Sequence, residues 1–536
     1  METLVGAMSA ANDTRVVVRP LPGGGWELRH PDALVLPARR VGDWLEHWAA
    51  TRPEHPFLVD PLGAATTYAD ARTAVGQLAQ GLLDRAMPVG APLVIVAENS
   101  VAHALLALAA MHVGIPVCTL APSWVQAPAE AERVSRVLAL LAPGRVVDEA
   151  LLRALPRPAE TAAVAEAFAA VRSDSIARYL LTSGSTDAPK LVSTTQGMLT
   201  ANQAQIAQVW PFVTERPVVL CDWLPWSHTF GASHNVNLVL AQGGTLHLDD
   251  GRPTGEGIAR SAANLARVRP TLLFNVPRGY AMLLPLLEAD ESLARAVLGD
   301  VDMVFCAAAA LDPVVRDRIV ALGDRVRERP LWFAAGWGAT ETAPAATLVS
   351  WPDADPQSVG LPVPGCVLRL TPAADGYELR VRGPNVTPGY LGASAEIDAE
   401  GFWCSGDAAD WVDGSDHGRG LRITGRIAED FKLSSGTWVS VASVRAAALA
   451  RLGVMVEDVV VLGPDRADVR LLVFPSAAGV AVGVTSVQQH CDAVLREWQI
   501  AERGSSRVPV RALVTASPLD ASRGEVTAKG SVNQRV

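Results

Sequence analysis

Three residues stand out first as candidates for chemistry. The chain holds 46 lysines and arginines, yet only Lys190, Lys432 and Lys529 are lysine. A sequence that uses arginine almost everywhere keeps lysine where a compact ammonium on a flexible stem differs from a rigid guanidinium fork. The plain alternative is three chance survivors. Lys190 closes a polar run, Thr182, Ser183, Gly184, Ser185, Thr186, Asp187, Ala188 and Pro189, directly after the apolar Tyr179, Leu180 and Leu181. Hydroxyls and a glycine bunched behind a strand suit a loop that wraps polyphosphate. Backbone N–H groups form the anion site, hydroxyls donate, and a lysine neutralises charge. No glycine pair brackets Lys190, so the loop is not of the G-x-x-x-x-G-K-[ST] kind. Ser/Thr/Gly clusters also serve as ordinary turns, so the assignment needs its context.

The elements that must position this loop are legible as alternating apolar runs. Residues 92–97 read as a buried strand and 101–113 as the helix behind it; 218–221 and 271–275 are further strands. Such alternation predicts an α/β fold with parallel strands covered by helices. From Gly376 the texture changes: 377–381 alternates and turn residues become frequent, which predicts a small β-rich subdomain. After Gly425 and Arg426 a last segment of about 110 residues is the size of a small domain. The expected division is a large N-terminal domain over 1–426, built of layered α/β subdomains, and a small α+β C-terminal domain over 427–536. Residues 159–170, rich in Ala and Glu, read as a surface helix or linker.

Composition removes several classes of function. A length of 536 residues exceeds one ordinary core. The net charge of -10 without a basic stripe argues against nucleic acid and against anionic lipid. The longest apolar stretch, 303–311, is closed by Asp302 and Asp312, far short of the ~20 residues of a membrane span. Residues 1–15 lack a charged-then-apolar leader pattern, so a cytoplasmic protein with no membrane partner is expected. Cysteines at 118, 221, 306, 366, 404 and 491 form no C-x-x-C pair, which predicts free buried thiols rather than a zinc site or a disulfide scaffold.

Further motifs follow the loop in order. They are Leu224-Pro225-Trp226-Ser227-His228-Thr229-Phe230-Gly231, Gly336-Trp337-Gly338-Ala339-Thr340-Glu341, Ser405-Gly406-Asp407 and Gly425-Arg426. With the 182–190 run they resemble the signature motifs of the adenylate-forming superfamily of acyl-CoA synthetases, luciferases and peptide-synthetase adenylation domains. The segment from Trp223 to His228, the run Arg382-Gly383-Pro384-Asn385-Val386-Thr387-Pro388-Gly389-Tyr390, the run Glu429-Asp430-Phe431-Lys432-Leu433 and Gly524-Glu525-Val526-Thr527 with Lys529-Gly530 are similar to bacterial feruloyl-CoA synthetases. The likeness runs from about residue 42 to 535.

The resemblance implies an AMP-forming acid:CoA ligase using ATP, Mg²⁺ and CoA, acting on a small aromatic acid as a monomer or homodimer. Thr182, Ser183, Gly184, Ser185, Thr186 and Lys190 would hold the phosphates, and Gly338 would lie near the adenine. Thr340 would bind phosphate, Glu341 would hold Mg²⁺, Asp407 the ribose hydroxyls, and Arg426 ribose or phosphate. His228 would lie beside the acid carboxylate. Lys529 would bridge carboxylate and phosphate in the first half-reaction. Lys432 would serve the second, after the small domain rotates.

The chain departs from the family pattern in several places. Trp337 stands where tyrosine is usual, Asp187 and Leu191 replace glycines, Ala428 replaces the hinge Asp or Lys, and Lys529 precedes rather than follows its glycine. A carboxylate about 5 Å from a phosphate repels it by about 1 kcal/mol in water and about 3 kcal/mol at an effective dielectric of 20. Asp187 therefore points outward, pairs with a cation, or alters triphosphate binding. The departures keep other readings open: an adenylating enzyme with a carrier protein as acceptor, an enzyme that activates nitrite to diazotise an aryl amine, or a non-catalytic binding protein.

Overall fold

The computed structural model describes residues 15–516 except 37, 89, 183–189, 374, 375, 436, 503 and 505. Ser183, Gly184, Ser185, Thr186, Asp187 and Lys529 thus lie outside the described residues.

Three sheets with parallel strands carry the first two thirds. One runs Arg145–Asp148, Leu93–Val96, Val117–Leu120, Ile176–Thr182, Lys190–Thr195; its first four strands are parallel and the last is antiparallel. A second runs Val219–Asp222, Thr245–Leu248, Pro56–Val59, Ala65–Thr67. The third runs Leu272–Asn275, Met303–Cys306, Trp332–Gly338, Ala345–Leu348, Leu361–Pro362, with its last two pairings antiparallel. The antiparallel edges have a simple cause. A short connection such as 60–64, between Pro56–Val59 and Ala65–Thr67, joins strands only as a hairpin, because a parallel return needs a crossover of a dozen residues or more.

The helix Val101–His112 illustrates how the layers hold. The Ser100 hydroxyl caps it by accepting the His103 N–H at 3.2 Å. Its residues are apolar almost all round and buried on most faces, as befits a helix packed between layers. Gly114, at φ +76°, allows the left-handed turn that follows it. The helix Gln196–Val209 does the converse and carries amides inward. Asn202 Nδ2 donates to the Ala345 carbonyl at 2.8 Å, and the Ala345 N–H donates back to Asn202 Oδ1 at 3.2 Å. Gln205 Nε2 donates to Asn385 Oδ1 at 3.1 Å, and Asn385 Nδ2 to the Thr342 carbonyl at 2.7 Å. Buried amides satisfied in this way fix the strand Ala345–Leu348 and the turn before it.

The predicted β-rich subdomain is an antiparallel sheet of Val17–Pro20, Trp26–Arg29, Val367–Pro372, Tyr377–Arg382, Trp403–Trp411 and Leu421–Arg426. Residues beyond it form the ribbon Phe431–Lys432 with Trp438–Val439, and a three-stranded sheet of Val456–Leu462, Arg470–Pro475 and Arg511–Val514. An apolar core of residues within 433–514, including Leu433, Val459, Leu471 and Trp498, belongs to this last segment alone. Residues 159–170 contain the helix Ala162–Ala170. All six cysteines are free. No helix of the described residues is long and apolar enough to cross a membrane.

The core also buries ionisable groups. Burial pushes His103, His112 and His234 each down to about 4, against 6.5 in the unfolded chain. Between pH 6.5 and 4 the unfolded chain therefore takes up protons that the fold refuses, and stability falls as pH falls. Burial pushes the Asp222 carboxyl up to about 7, which acts in the opposite sense: the fold holds a proton that the unfolded chain releases. Three terms outweigh one, so the urea midpoint is expected to drop from pH 7 to pH 5. Asp222→Asn should make that drop steeper, as measured by fluorescence-monitored urea unfolding at the two pH values.

Candidate active site

The strand Ile176–Thr182 ends at Thr182, which pairs in register with Lys190 at the start of the next strand. The two strands are antiparallel neighbours at the edge of the first sheet. Leu191, one of the departures from the family pattern, is fully buried in the small core formed with Val94, Cys118, Leu120 and Tyr179. It anchors the hairpin from below.

The segment carrying Asn385 and Tyr390 crosses this hairpin. The Ser193 N–H donates to the Gly389 carbonyl at 3.0 Å and the Leu391 N–H to the Leu191 carbonyl at 2.8 Å. The Thr387 N–H donates to the Glu341 carbonyl at 2.8 Å, and the Thr387 hydroxyl to the Ser193 carbonyl at 2.7 Å. This lacing sets Tyr390 between two charges. Its hydroxyl donates to Glu341 Oε1 at 3.0 Å, and its ring centroid lies 5.0 Å from the Lys190 ammonium. Lys190 also approaches Glu396 at 3.6 Å, a largely exposed contact.

Glu341 lies in the short 3₁₀ turn Thr340–Thr342 and is buried, while Thr340 is half-buried. Burial raises the Glu341 pKa; its own backbone, the Tyr390 hydroxyl and the charges of Arg426 and Lys190 oppose the rise. The turn leaves the strand Trp332–Gly338 at a register shift between Trp337 and Gly338. A Cβ at Gly338 would fall on the Pro344 carbonyl oxygen, so only glycine lets the two arms of the turn close.

Asp407 lies in the strand Trp403–Trp411, paired with Arg426 of the next strand. Its Oδ1 receives the Arg426 Nε at 2.7 Å, and its Oδ2 accepts the Trp337 indole N–H at 2.9 Å. Arg426 also donates to the Ser405 carbonyl at 3.2 Å and is half-exposed. The motif containing His228 hangs from Asp222. Oδ1 of that residue accepts the Leu224 N–H at 3.0 Å, and Oδ2 accepts Asn235 Nδ2 at 2.9 Å. Asn99 ties the same turn to the first sheet through the Leu224 carbonyl and the Trp226 N–H. Beyond it the chain makes a π-helical turn, Phe230–Asn235, a form often found at functional sites. His228 is exposed at its start.

Glu341, Lys190, Arg426 and Asp407 are thus linked through Tyr390 and by charge. Lys432 lies elsewhere: it is exposed on the C-terminal ribbon, with its ammonium 5.0 Å from the Trp438 ring centroid. Tyr390 and Glu396 escaped sequence reading, although Tyr390 ended a quoted motif. The donor-only indole at 337 required a buried acceptor, and this was the missed signal for its bond to Asp407.

The donor set suits a magnesium nucleotide. Among the described residues no three acidic, histidine or cysteine side chains gather as a metal cage. A lone buried carboxylate fits Mg²⁺, which takes one or two protein carboxylates and completes its shell with phosphates and water.

Residues 45–391 match the AMP-binding enzyme family, and the chain belongs to it. It is an AMP-forming ligase of the adenylate-forming superfamily, as its motifs imply. A feruloyl-CoA synthase from Amycolatopsis sp is 28% identical over 399 residues, 70% of this chain and 76% of the relative. An anthranilate–CoA ligase from Pseudomonas aeruginosa is 30% identical over 363 residues, 63% of this chain and 64% of the relative. The fold matches O-succinylbenzoate coenzyme A synthetase from Bacillus subtilis in complex with AMP, with a TM-score of 0.69 and 18% identity, covering 89% of this chain and 96% of that one. It also matches an anthranilate CoA ligase in complex with anthranoyl-AMP, with a TM-score of 0.68 and 17% identity, covering 92% and 96%.

Two outcomes are expected from this geometry. Gly338→Ala should lower stability by about 1–3 kcal/mol and depress ATP-dependent turnover by displacing the Glu341 turn; urea unfolding and ATP titration check it. Holding a cation requires ionised Glu341. Tyr390→Phe removes a donor that favours the ionised form, so Glu341 titrates higher. The acidic limb of the pyrophosphate-exchange profile should move to higher pH.

Proposed function

We propose that this enzyme activates an aromatic carboxylic acid, hydroxycinnamate- or benzoate-like, as its acyl-adenylate with ATP, and then passes the acyl group to CoA. The acid carboxylate oxygen bonds to the α-phosphorus and pyrophosphate leaves; the CoA thiol then takes the acyl carbon and AMP leaves. The observation that carries the reading is the buried Glu341 carboxylate, bonded to Tyr390 and acted on by the charges of Arg426 and Lys190, with Lys190 against the Tyr390 ring and Arg426 paired to Asp407. Two anions must meet in the first step, so the site has to cancel charge while holding them in line.

In this reading Thr182, Ser183, Gly184, Ser185, Thr186 and Lys190 hold the triphosphate, Thr340 adds a hydroxyl, and Gly338 keeps the adenine side open. Both Asp407 oxygens accept a donor from the chain, and an ionised carboxylate, which only accepts, suits the ribose hydroxyls. Arg426 reaches ribose or phosphate from the same corner. Mg²⁺ on Glu341 would neutralise phosphate charge. His228 lies by the acid, and Lys529 bridges carboxylate and α-phosphate. Residues 1–426 act as the large domain. Residues 427–536 act as a small one that turns between the two half-reactions to bring in Lys432. The relatives named for feruloyl- and anthranilate-CoA formation support an aromatic acid and CoA as substrates.

The test is a panel of aromatic acids with ATP, scored by mass spectrometry for acyl-AMP and, with CoA added, for the thioester. Lys529→Ala is expected to lower pyrophosphate exchange at least about 100-fold, on the scale of losing a key electrostatic group. Lys432→Ala should slow thioester formation and spare exchange. Exchange that survives in Lys529→Ala, or CoA-independent turnover of nitrite with an aminoaryl acid, would replace this reading.

A further inference from the structure

Arg178 lies on the strand that leads into the phosphate hairpin, four residues before Thr182, yet its guanidinium points into the protein and is buried. Its contacts are weak: Nη1 is 3.5 Å from the Ser233 hydroxyl and Nη2 is 3.6 Å from the Met111 sulfur. Nε has no partner. Among the described residues no carboxylate lies within ion-pair distance of it. Burial pushes its pKa down to about 10, so the side chain stays charged at neutral pH. An uncompensated buried charge costs several kcal/mol, and nothing in its described surroundings offsets that cost.

The guanidinium borders a cavity of ≈ 30 Å³, which is also lined by His103, Thr119, Asn237, Met111 and Trp226. That is room for about two waters. Asn237 is fully buried, and both its amide nitrogen and its amide oxygen lack partners. His103 adds no charge. Its Nδ1 faces the Glu98 carbonyl at 3.0 Å and its Nε2 the Thr119 hydroxyl at 3.0 Å, and burial holds it neutral. Among the described residues Arg178 is therefore the one ionised side chain lining the cavity, and the free N–H groups of Arg178 and Asn237 are its open donors.

We propose that this cavity is a binding site for one small monovalent anion, a halide or a formate-sized carboxylate, which pairs with the Arg178 guanidinium and the Asn237 amide. The volume excludes phosphate esters, nucleotides and aromatic acids, so the site is separate from that of the adenylation substrates. Its walls include Trp226 and abut Ser233, on either side of His228. Occupancy therefore steadies the segment that faces the acid.

The test uses the full chain in a gluconate buffer, an anion too large to enter, at fixed ionic strength and pH. Replacing gluconate by chloride, bromide or formate should raise the midpoint of thermal unfolding saturably, by about 2–4 °C. Arg178→Met should abolish the rise. Asn237→Leu, which keeps the cation, should raise the half-saturating concentration at least about tenfold, the loss of roughly one charge-assisted bond. A response to halides alone, to formate alone or to both identifies the occupant, and each supports the site. Crystals grown in bromide should show an anomalous peak beside Arg178 Nε. Wild type that is indifferent to all three anions, an undiminished response in Arg178→Met, or crystals in bromide and in formate with only water in the cavity would overturn the proposal.

Discussion

The Asp407 carboxylate is the joint on which the site depends. One oxygen holds Arg426 and the other holds the Trp337 indole, so a single side chain fastens two sheets together. These are the mixed sheet, through its strand Trp332–Gly338, and the antiparallel sheet, whose last strand, Leu421–Arg426, leads into the C-terminal segment. The joint is largely closed to water, where a charge-assisted hydrogen bond is worth more than at the surface. Tryptophan suits the position because its N–H can only donate and its bulk fills the space between sheets. Arg426 completes the joint from the outer side, where half its surface stays in water. One end of the pair is therefore fixed and the other remains available to a ligand.

Around that joint the second carboxylate is handled differently. Glu341 is buried, and burial raises its pKa; its own backbone N–H first, then a tyrosine hydroxyl and two nearby cations hold the rise in check. A carboxylate balanced in this way takes a divalent cation readily, because the cation supplies the compensation that burial removed. Tyr390 is the side-chain hydrogen bond in that balance, and it rests on the backbone lacing of residues 387–391 to the hairpin strand. Rigid sheet edges therefore carry the polar groups, and residues outside the regular elements close the circuit.

Much of this architecture was legible in the residues. The runs at 92–97, 101–113, 218–221 and 271–275 correspond to Leu93–Val96, Val101–His112, Val219–Asp222 and Leu272–Asn275, because elements buried between layers must be apolar over their whole length. The alternation from 377 is the strand Tyr377–Arg382, with Leu379 and Val381 fully buried and their neighbours turned outward. The pairings were not legible. Trp337 and Asp407 are 70 residues apart and meet only because two different sheets end at the same place. The same holds for Tyr390 with Glu341, and for Arg178, which local sequence marks only as a polar interruption in a strand. Such contacts depend on register and sheet order, which a one-dimensional pattern does not encode. The π-helical turn after His228 likewise has no periodicity of its own. It packs over the carbonyls of Leu224 and Pro225, and Gly231 is required there because any side chain would strike them.

The scarcity of lysine also has a physical sense at Lys190. Its ammonium rests against the face of Tyr390 and near an exposed glutamate, contacts worth about 1 kcal/mol or less each at such exposure. An arginine there would stack its plane on the ring and grip Glu396 with two parallel bonds, a stronger and more directional hold. Lysine is held more loosely, by a point charge on a flexible stem. The cation beside the balanced Glu341 carboxylate therefore has the weaker of the two grips.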